Sequence, residues 1–383
     1  MISQVHLTMA GRDLDVHNKD LVSLWIEESI YSGLFYVIRF NSPSLSDIDF
    51  LIKLERTQDL DGFLNLGYVE ESGSVVWRST PYRVTGNMTR LDMDTNLLPS
   101  CSISGMGWGA YRLLCCRHKA WINRTVSSIV AEISEFNNLK DPDVDSTLGK
   151  NSFYQCGMSD WKFLSYLSAY ADTIKDSDFP RSDFFCYVDS GKTLRFKVPR
   201  FSDEPKLRLA FGTMGKDEQG KLTYPIFQLG VEFREPEVVK AGSFRVEGYG
   251  YDPIAKKERW ATVNDNRTLF PHPSDAGKLP FSPGRPQKML SVTQPDSEDF
   301  SASDVESRLR SVWQDRGHGL FRVTVHTLPV LDLPLLSMVK LSVPAGDGEE
   351  HFLSGTYLLH KINHQLSATG WISVLGLERR SHR

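Results

Sequence analysis

The chain has 383 residues, of which 40% are hydrophobic and 24% charged, and its formal net charge is -4. This composition is typical of a folded protein, and the length predicts two to four compact units rather than one core. The slightly acidic balance argues against a surface built to hold phosphates. We also expect cytoplasmic synthesis without a membrane anchor, because residues 1–7 lack a signal-peptide pattern and no apolar run is long enough to span a bilayer.

The first third of the chain has the pattern of short strands separated by turn residues. Apolar and aromatic runs occur at residues 34–40, 51–55, 64–69 and 111–116. Several short strands at this spacing are typical of an antiparallel barrel or sandwich. The sequence therefore predicts a first β-barrel over residues 1–118.

The middle of the chain changes to helical periodicity. Thr125 can cap a helix whose apolar residues recur every three or four positions, and Ser159 can cap a second one. A hairpin follows over residues 184–198, with its turn at 189–191. These elements predict an inserted α+β domain over residues 119–205.

Strands return after Pro205 and continue to the end of the chain with one interruption. We predict a second β-barrel made of residues 206–250 and 320–383. The interruption, residues 251–319, contains six prolines between residues 270 and 300, which cannot sustain a helix or a central strand. A capping pattern at Ser303 predicts one helix after them. The predicted fold class is mainly β with α+β insertions.

Two glycine patterns resemble nucleotide-binding motifs without meeting their requirements. Residues 191–193 read Gly-Lys-Thr, but Cys186 stands where a phosphate-binding loop needs glycine, and a strand follows. A hairpin turn is the better interpretation. Gly105, Gly107 and Gly109 lack dinucleotide spacing, and we predict a flexible loop there.

Two histidines near the end have the spacing of a zinc-protease helix. His360 and His364 are four residues apart, but no glutamate follows the first, and they alternate with Leu358 and Ile362 as on a strand. We predict a polar strand face with a structural or interface role and no metal.

Cysteines and carboxylates give no clear sign of chemistry. The five cysteines are odd in number and form no CxxC pair, which predicts buried free thiols. Two acidic clusters lie beside prolines in predicted loops, where solvated charge is the usual explanation. The clusters are Asp141, Asp143 and Asp145, and Glu232, Glu235 and Glu237. We predict no catalytic residue and no cofactor.

Three segments, in order, carry a more specific pattern. The first holds Gln155, Ser159, Asp160, Phe163 and Leu164. The second holds Tyr251, Asp252 and Pro253, followed by Lys256 and Lys257. The third holds Ser354, Gly355, Tyr357, His364 and Gly370, followed by an apolar strand that ends in Arg379 and Arg380.

Together these segments resemble the hub protein at the tip of contractile phage tails. That family also includes the phage late control D protein and the amino-terminal region of the type VI secretion spike. The resemblance extends from about residue 110 to the end, whereas residues 1–118 are similar only in strand pattern. Relatives often have a glycine turn where this chain has residues 335–339.

The resemblance implies a structural adapter. It implies two tube-like antiparallel β-barrels per chain that are structural duplicates, although the sequence has no close internal repeat. Three copies would form a homotrimer whose six barrels match the hexameric tail tube, while the opposite face binds the trimeric central spike. Further implied partners are a tube-initiator protein, the tape measure protein and other baseplate proteins. DNA would pass through a mildly acidic bore without specific binding, and the protein would lie at the virion tail tip.

Three alternatives remain open at this point. A tail-associated enzyme of cell-wall digestion would need two carboxylates at catalytic separation. A hub of a phage-like contractile injection system would share the architecture. A cytoplasmic binding module for single-stranded nucleic acid would show salt-dependent affinity.

Overall fold

The structure is a computed structural model of the single chain. It describes residues 2–14, 21–41, 45–54, 61–70, 72–93, 99–139, 141–147, 150–168, 171, 184–200, 203–212, 214–216, 220–233, 244–252, 257–265, 288–291, 321–345, 351, 353–367 and 370–379. Within these ranges, no helix combines the length and the apolar character needed to cross a membrane.

The first module is a curved antiparallel sheet with one helix. Its elements are β1 (Ile2–Met9), β2 (Arg12–Leu14), β3 (Leu21–Ser29), β4 (Gly33–Asn41), α1 (Leu45–Leu54), β5 (Gly62–Val69), β6 (Val75–Trp77), β7 (Tyr82–Met93) and β8 (Pro99–Gly107). Six strands pair in the order β1-β5-β7-β8-β4-β3. Alternate side chains point inward, as the two-residue period of a strand requires, so that Leu34, Tyr36 and Ile38 of β4 all enter the core.

An α+β unit follows the first module. Its elements are α2 (Trp108–Arg112), β9 (Cys116–Arg124), α3 (Val126–Phe136), β10 (Asp143–Val144), β11 (Asn151–Ser159), α4 (Asp160–Ser168), β12 (Phe185–Asp189) and β13 (Thr193–Lys197). Helix α3 begins as predicted, because Thr125 Oγ1 accepts a hydrogen bond from the Ser128 N–H at 3.3 Å. Ile129, Val130 and Ile133 then pack in a separate core with α4.

The second module contains a closed six-stranded barrel. The elements from here to the end are β14 (Leu207–Phe211), β15 (Gly215–Lys216), β16 (Leu222–Phe233), β17 (Phe244–Asp252), β18 (Lys257–Asp265), β19 (Lys288–Ser291), β20 (Phe321–Thr327), β21 (Met338–Ser342), β22 (Gly355–Ser367) and β23 (Gly370–Arg379). The six strands of the barrel run in the order β22-β21-β14-β16-β20-β23, and β23 pairs with β22 to close the barrel. The predicted mainly β, barrel-based fold with α+β insertions is confirmed.

The two modules share one strand order. When the six main strands of each are numbered along the chain, both sheets follow 1-4-5-6-3-2. The first strand differs in direction: β14 runs parallel to both of its neighbours, whereas β1 is antiparallel to β5. The order is therefore common to both modules even though the sequences do not repeat.

Among the described strands, one pairing, between β3 and β22, joins the modules. It is antiparallel and runs from Ser29 opposite Lys361 to Ser23 opposite Ser367. The tip of the β22–β23 hairpin extends this contact, because its Leu366 and Trp371 belong to the core of the first module. The joint is therefore a continuous sheet with a shared core.

Three local predictions were wrong. The apolar run at 51–55 lies mostly in α1, where Ile48 and Leu51, three residues apart, bury one helix face. The strand predicted at 111–116 does not form either, because residues 111–112 end α2 and β9 begins only at Cys116. The glycines predicted to form a flexible loop instead end β8 and begin α2. Short apolar runs do not by themselves distinguish helix from strand.

The strand predicted at 243–248 also has a different partner from the expected one. β17 pairs with β18 and β19 in a separate three-stranded sheet rather than with the barrel. Apolar alternation predicts an extended strand but does not specify its neighbour. The helix predicted from Ser303 and most of the proline-rich segment lie outside the described residues. The four domain boundaries stay predictions.

The shared core at the joint leads to a stability prediction. Leu366→Ala should lower the free energy of unfolding by about 2–5 kcal/mol, because it leaves a cavity in the core of the first module. Gln365→Ala, at the exposed neighbouring position, should change it by less than about 0.5 kcal/mol. Urea unfolding measures both, and hydrogen exchange should be faster in β5 and β7 of the leucine variant. Equal effects of the two variants would contradict the shared core.

Candidate functional site

The first motif segment builds a fully buried carboxylate site in the α+β unit. Asp160, the first residue of α4, has no exposed surface. Its Oδ1 accepts from Gln155 Nε2 at 2.8 Å, and its Oδ2 accepts from Asn137 Nδ2 at 2.7 Å and Arg117 Nε at 2.8 Å. Gln155 Nε2 also donates to the Met158 carbonyl at 3.0 Å. A buried charge is tolerated when it is paired and hydrogen-bonded in this way.

This network fixes the position of α4. The donors come from β9, β11 and the end of α3, so three elements converge on one carboxylate. Ser159 Oγ accepts from the Lys162 N–H at 3.3 Å and caps the helix. Phe163 and Leu164 are then held in the core, with the Phe163 ring stacked 6.3 Å from that of Trp121. The five motif residues therefore lie together, and their contacts hold the start of α4 in place.

The third motif segment shapes the start of β22. Ser354 Oγ accepts from the Val343 N–H at 2.8 Å and donates to its carbonyl at 2.9 Å, which ties β22 to the end of β21. Gly355 follows with φ of 146°, a region that favours glycine. The buried Tyr357 hydroxyl donates to the Leu353 carbonyl at 2.7 Å. Gly370, with φ of 142°, begins β23 after the hairpin turn.

His364 lies at the boundary between the two module cores. On β22 it lies between Ile362, in the second core, and Leu366, in the first. Burial, and secondarily the charge of Arg78, lower its pKa to about 3, so the ring is neutral. Its Nδ1 lies 3.0 Å from Ser373 Oγ.

The predicted polar strand face was therefore wrong. His360 and His364 are both buried, and the His360 ring lies 5.8 Å from that of Tyr31. A β-bulge between Leu359 and Lys361 breaks the alternation on which that prediction relied.

The second motif segment lies apart from the other two. Tyr251 and Asp252 end β17, opposite Glu258 and Lys257 of β18. Pro253 and Lys256 lie outside the described residues. The described residues Tyr251, Asp252 and Lys257 of this segment thus lie at the paired ends of two strands of the three-stranded sheet.

A buried charged junction, which the sequence analysis missed, connects all three parts of the chain. Glu28 of β3 accepts a hydrogen bond from the Ser190 N–H at the β12–β13 turn. Arg78 donates to Ser190 Oγ at 2.9 Å, and its guanidinium carbon lies 4.0 Å from the centroid of the Tyr82 ring. Next to it, Ser79 Oγ donates to Asp332 Oδ1 at 2.7 Å, in the loop before β21. These contacts fix the first module, the inserted unit and the second module relative to one another.

The β12–β13 turn is a tight fit in this junction. Ser190 and Gly191 both have positive φ, 52° and 67°, as the central residues of a primed turn do, and the Lys192 N–H donates to the Asp189 carbonyl at 2.9 Å. A Cβ at position 191 would overlap the Arg83 carbonyl oxygen. The Gly191 carbonyl accepts from the Gly109 N–H at 2.9 Å. The hairpin turn predicted for Gly-Lys-Thr is confirmed.

One acidic cluster forms ion pairs with basic side chains of the neighbouring strand. Asp143 contacts Arg195 and Lys197, and Asp145 accepts from Lys197 Nζ at 2.9 Å. These four residues line a cleft of about 380 Å³ that faces residues 334–338. Asp143 lies in β10 rather than in a loop, and its ion-paired side chain keeps 39% of its surface exposed. Glu235 and Glu237 lie outside the described residues.

The thiols differ from the prediction. Cys101 and Cys186 are buried, whereas Cys115, Cys116 and Cys156 are exposed, and all five are free. Within the described ranges, no group of three or more potential ligands has the geometry to hold a metal ion.

Several solved structures have an architecture similar to that of this chain. A tail protein from Neisseria meningitidis superposes with a TM-score of 0.64 at 13% identity, covering 98% of this chain and 96% of that protein. The 43 kDa tail protein of prophage MuSo2 from Shewanella oneidensis gives 0.60 at 13% identity, covering 99% and 97%. An Escherichia coli component of the type VI secretion system, itself similar to bacteriophage T4 tail proteins gp27 and gp5, gives 0.53 at 11% identity, covering 98% and 77%. This chain has the fold of these tail and secretion proteins.

The similarity is structural rather than sequential. Neither a family model nor a curated protein sequence matches the chain.

The buried Asp160 site leads to a second stability prediction. Asp160→Asn should lower the free energy of unfolding by about 3 kcal/mol. The amide NH₂ of asparagine would face an N–H donor of the network, and Arg117 would lose its carboxylate partner. Asp13→Asn, a change at a largely exposed carboxylate, should cost less than about 0.5 kcal/mol. Thermal and urea unfolding measure both variants. An unchanged stability in Asp160→Asn would show that the network does not hold α4.

The junction leads to a prediction about pH. Burial raises the pKa of Glu28 from 4.5 to about 7; Asp189 adds to this increase, whereas Arg78 and Arg195 oppose it. Between these two values the folded state keeps a proton that the unfolded state has lost, so this group's stabilisation should fall as pH rises. The decrease should total about 3 kcal/mol and should level off above pH 7.

The Glu28→Gln variant isolates this contribution. The unfolding free energy of the wild type minus that of the variant should decrease from about pH 4.5 to pH 7, where the pKa values lie. Urea titrations at several pH values measure it. A difference that stays constant or increases over this window would contradict the assignment.

Proposed function

We propose that this protein is the structural hub of a phage tail baseplate. One observation carries the proposal: the chain contains two six-stranded modules with the same strand order, joined side by side. Three such chains around an axis would present six similar modules. A threefold ring of this kind can contact a sixfold tail tube on one face and a threefold spike on the other.

The comparisons support this function over a catalytic one. The similar proteins are named as a tail protein, a prophage tail protein and a secretion-system component, and they match nearly the full length of this chain. The motif residues described above tie structural elements together, and the Asp143 and Asp145 carboxylates are held in ion pairs. The partners we propose are a second and third copy of the chain, the tail tube or its initiator, the spike, the tape measure protein and other baseplate proteins.

A hub of a phage-like contractile injection system is a second candidate. The similarity to a type VI secretion component favours it, although its TM-score of 0.53 is below the 0.64 and 0.60 of the two tail proteins. The ring geometry is the same in both cases, and only the partner proteins differ.

The oligomeric state tests the proposal. Sedimentation velocity of the full chain should show three chains of 43.4 kDa each, and negative-stain images should show a threefold ring with six lobes. Each interface between neighbouring chains of the ring should bury on the order of 2,000 Å² or more, so the trimer should persist on dilution. A monodisperse monomer at high concentration that binds neither tube nor spike protein would contradict the proposal.

A further inference from the structure

Two neighbouring cavities lie between the inserted unit and the second module. The larger, of about 380 Å³, is the cleft between the β10–β13 strands and residues 334–338. The smaller, of about 310 Å³, lies between the β12–β13 turn and residues 78–80 of the first module. Arg195 and Pro334 line both cavities. We call the two together the seam groove; each volume is within the range of about 300–1,000 Å³ that ligand sites occupy.

The seam groove offers apolar surface beside its charged groups. Apolar residues of the second module and of the segment after β13 line the larger cavity; they are Val198, Pro199, Pro334, Leu335, Leu336 and Met338. Leu336 is only half-buried, so part of its side chain remains accessible. A ligand that fits the seam groove therefore presents both apolar and charged groups.

The two signs of charge in the seam groove differ in how fully they are paired. Basic and acidic side chains line it in equal number. Most of its carboxylates contact a lysine or arginine; these are Asp143, Asp145, Asp189, Glu204 and Asp332. By contrast, the exposed side chains of Lys192, Arg200 and Lys206 form no ion pair with any residue that the structure describes, and the same holds for Asp203. An incoming carboxylate thus meets three unpaired cations, whereas an incoming cation meets one unpaired carboxylate.

The backbone beside the seam groove adopts unusual conformations. Ser190, Asp332 and Leu336 line it and have positive φ, 52°, 56° and 62°. Aspartate tolerates this region, but leucine rarely adopts it. Residues held in such conformations cluster at ligand clamps and active sites. Leu336 therefore marks the apolar part of the seam groove as a place where shape is kept at some cost in stability.

From these observations we infer that the seam groove binds an acidic peptide segment of a partner protein. Carboxylates of the peptide would pair with Lys192, Arg200 and Lys206, and an apolar side chain would pack on Leu336. Clustered cations recognise acidic motifs in this way in other proteins. The seam groove is complete within one chain, so the inference goes beyond the proposed hub function and does not depend on a ring.

Peptide binding to the full-length chain tests the inference. The probe is a fluorescein-labelled peptide in which glutamate alternates with leucine, and fluorescence anisotropy measures its affinity. A peptide of the same length with lysine in place of glutamate is the control for charge, and a labelled single-stranded oligonucleotide is a second anionic probe. The acidic peptide should bind more tightly than either, and its affinity should fall as salt is added, because exposed charges are screened.

Three variants locate the binding. Lys206→Glu should weaken binding of the acidic peptide roughly tenfold, because it places a like charge opposite the ligand. Lys216→Glu, the same change at an exposed lysine of β15 outside the seam groove, should change it less than about twofold. Leu336→Gly removes apolar surface, whereas glycine adopts this φ without strain, so the affinity should fall about threefold in a folded protein. Unfolding curves confirm the native fold of each variant.

Several results would overturn the inference. They are no binding of the acidic peptide up to about 1 mM, equal affinity for the acidic and basic peptides, equal losses in Lys206→Glu and Lys216→Glu, or an unchanged affinity in Leu336→Gly. Tighter binding of the oligonucleotide, lost in Lys206→Glu, would also overturn it by showing that the seam groove selects phosphate. A monomeric chain that binds the acidic peptide as expected would contradict the hub proposal and leave this inference standing.

Discussion

The pairing of β3 with β22 is the constraint on which the rest of the molecule depends. Through it the first module and the closed barrel become one sheet. Because Leu366 and Trp371 of the second module lie in the first core, the pairing cannot open without exposing apolar surface on both sides. Two modules linked in this way keep a fixed relative orientation. A ring of several chains needs that rigidity, since each chain must present its two halves at the same angle.

Buried polar groups refine this orientation. Apolar packing alone tolerates small shifts, whereas a buried carboxylate or guanidinium must meet specific partners. At the junction, Glu28 and Arg78 both contact Ser190, and the neighbouring Ser79 contacts Asp332. Each contact crosses between parts of the chain that are distant in sequence. The neutral His364 ring next to them, packed edge-on against Trp371, adds a shape constraint without another charge.

Local signals in the sequence were sufficient for elements that carry their own start and stop. Thr125 and Ser159 identified the starts of α3 and α4, and the turn at Gly191 identified the hairpin, because caps and turns act within a few residues. Partner choice was not predictable in the same way, as β17 shows. The junction did leave one signal. Glu28 continues the inward alternation of Leu24 and Ile26, and a charged residue at a core position indicates a buried partner. Arg78, in an irregular connection, had no such signal.

The absence of a sequence repeat between modules of equal strand order has a physical reason. A small barrel requires apolar side chains at alternate positions and a fixed order of neighbours, and many sequences meet both conditions. The reversed direction of β14 shows that even the direction of one strand can change while the order remains.

Leu336 illustrates the same tolerance at one residue. It adopts φ of 62°, which costs a leucine roughly 1–2 kcal/mol. The Leu336 N–H nevertheless donates to the Leu359 carbonyl at 2.9 Å, so the loop keeps its place beside β22. The same reasoning explains how a tail protein with 13% identity superposes over 98% of this chain: many different side chains satisfy the burial pattern and the strand order of one fold.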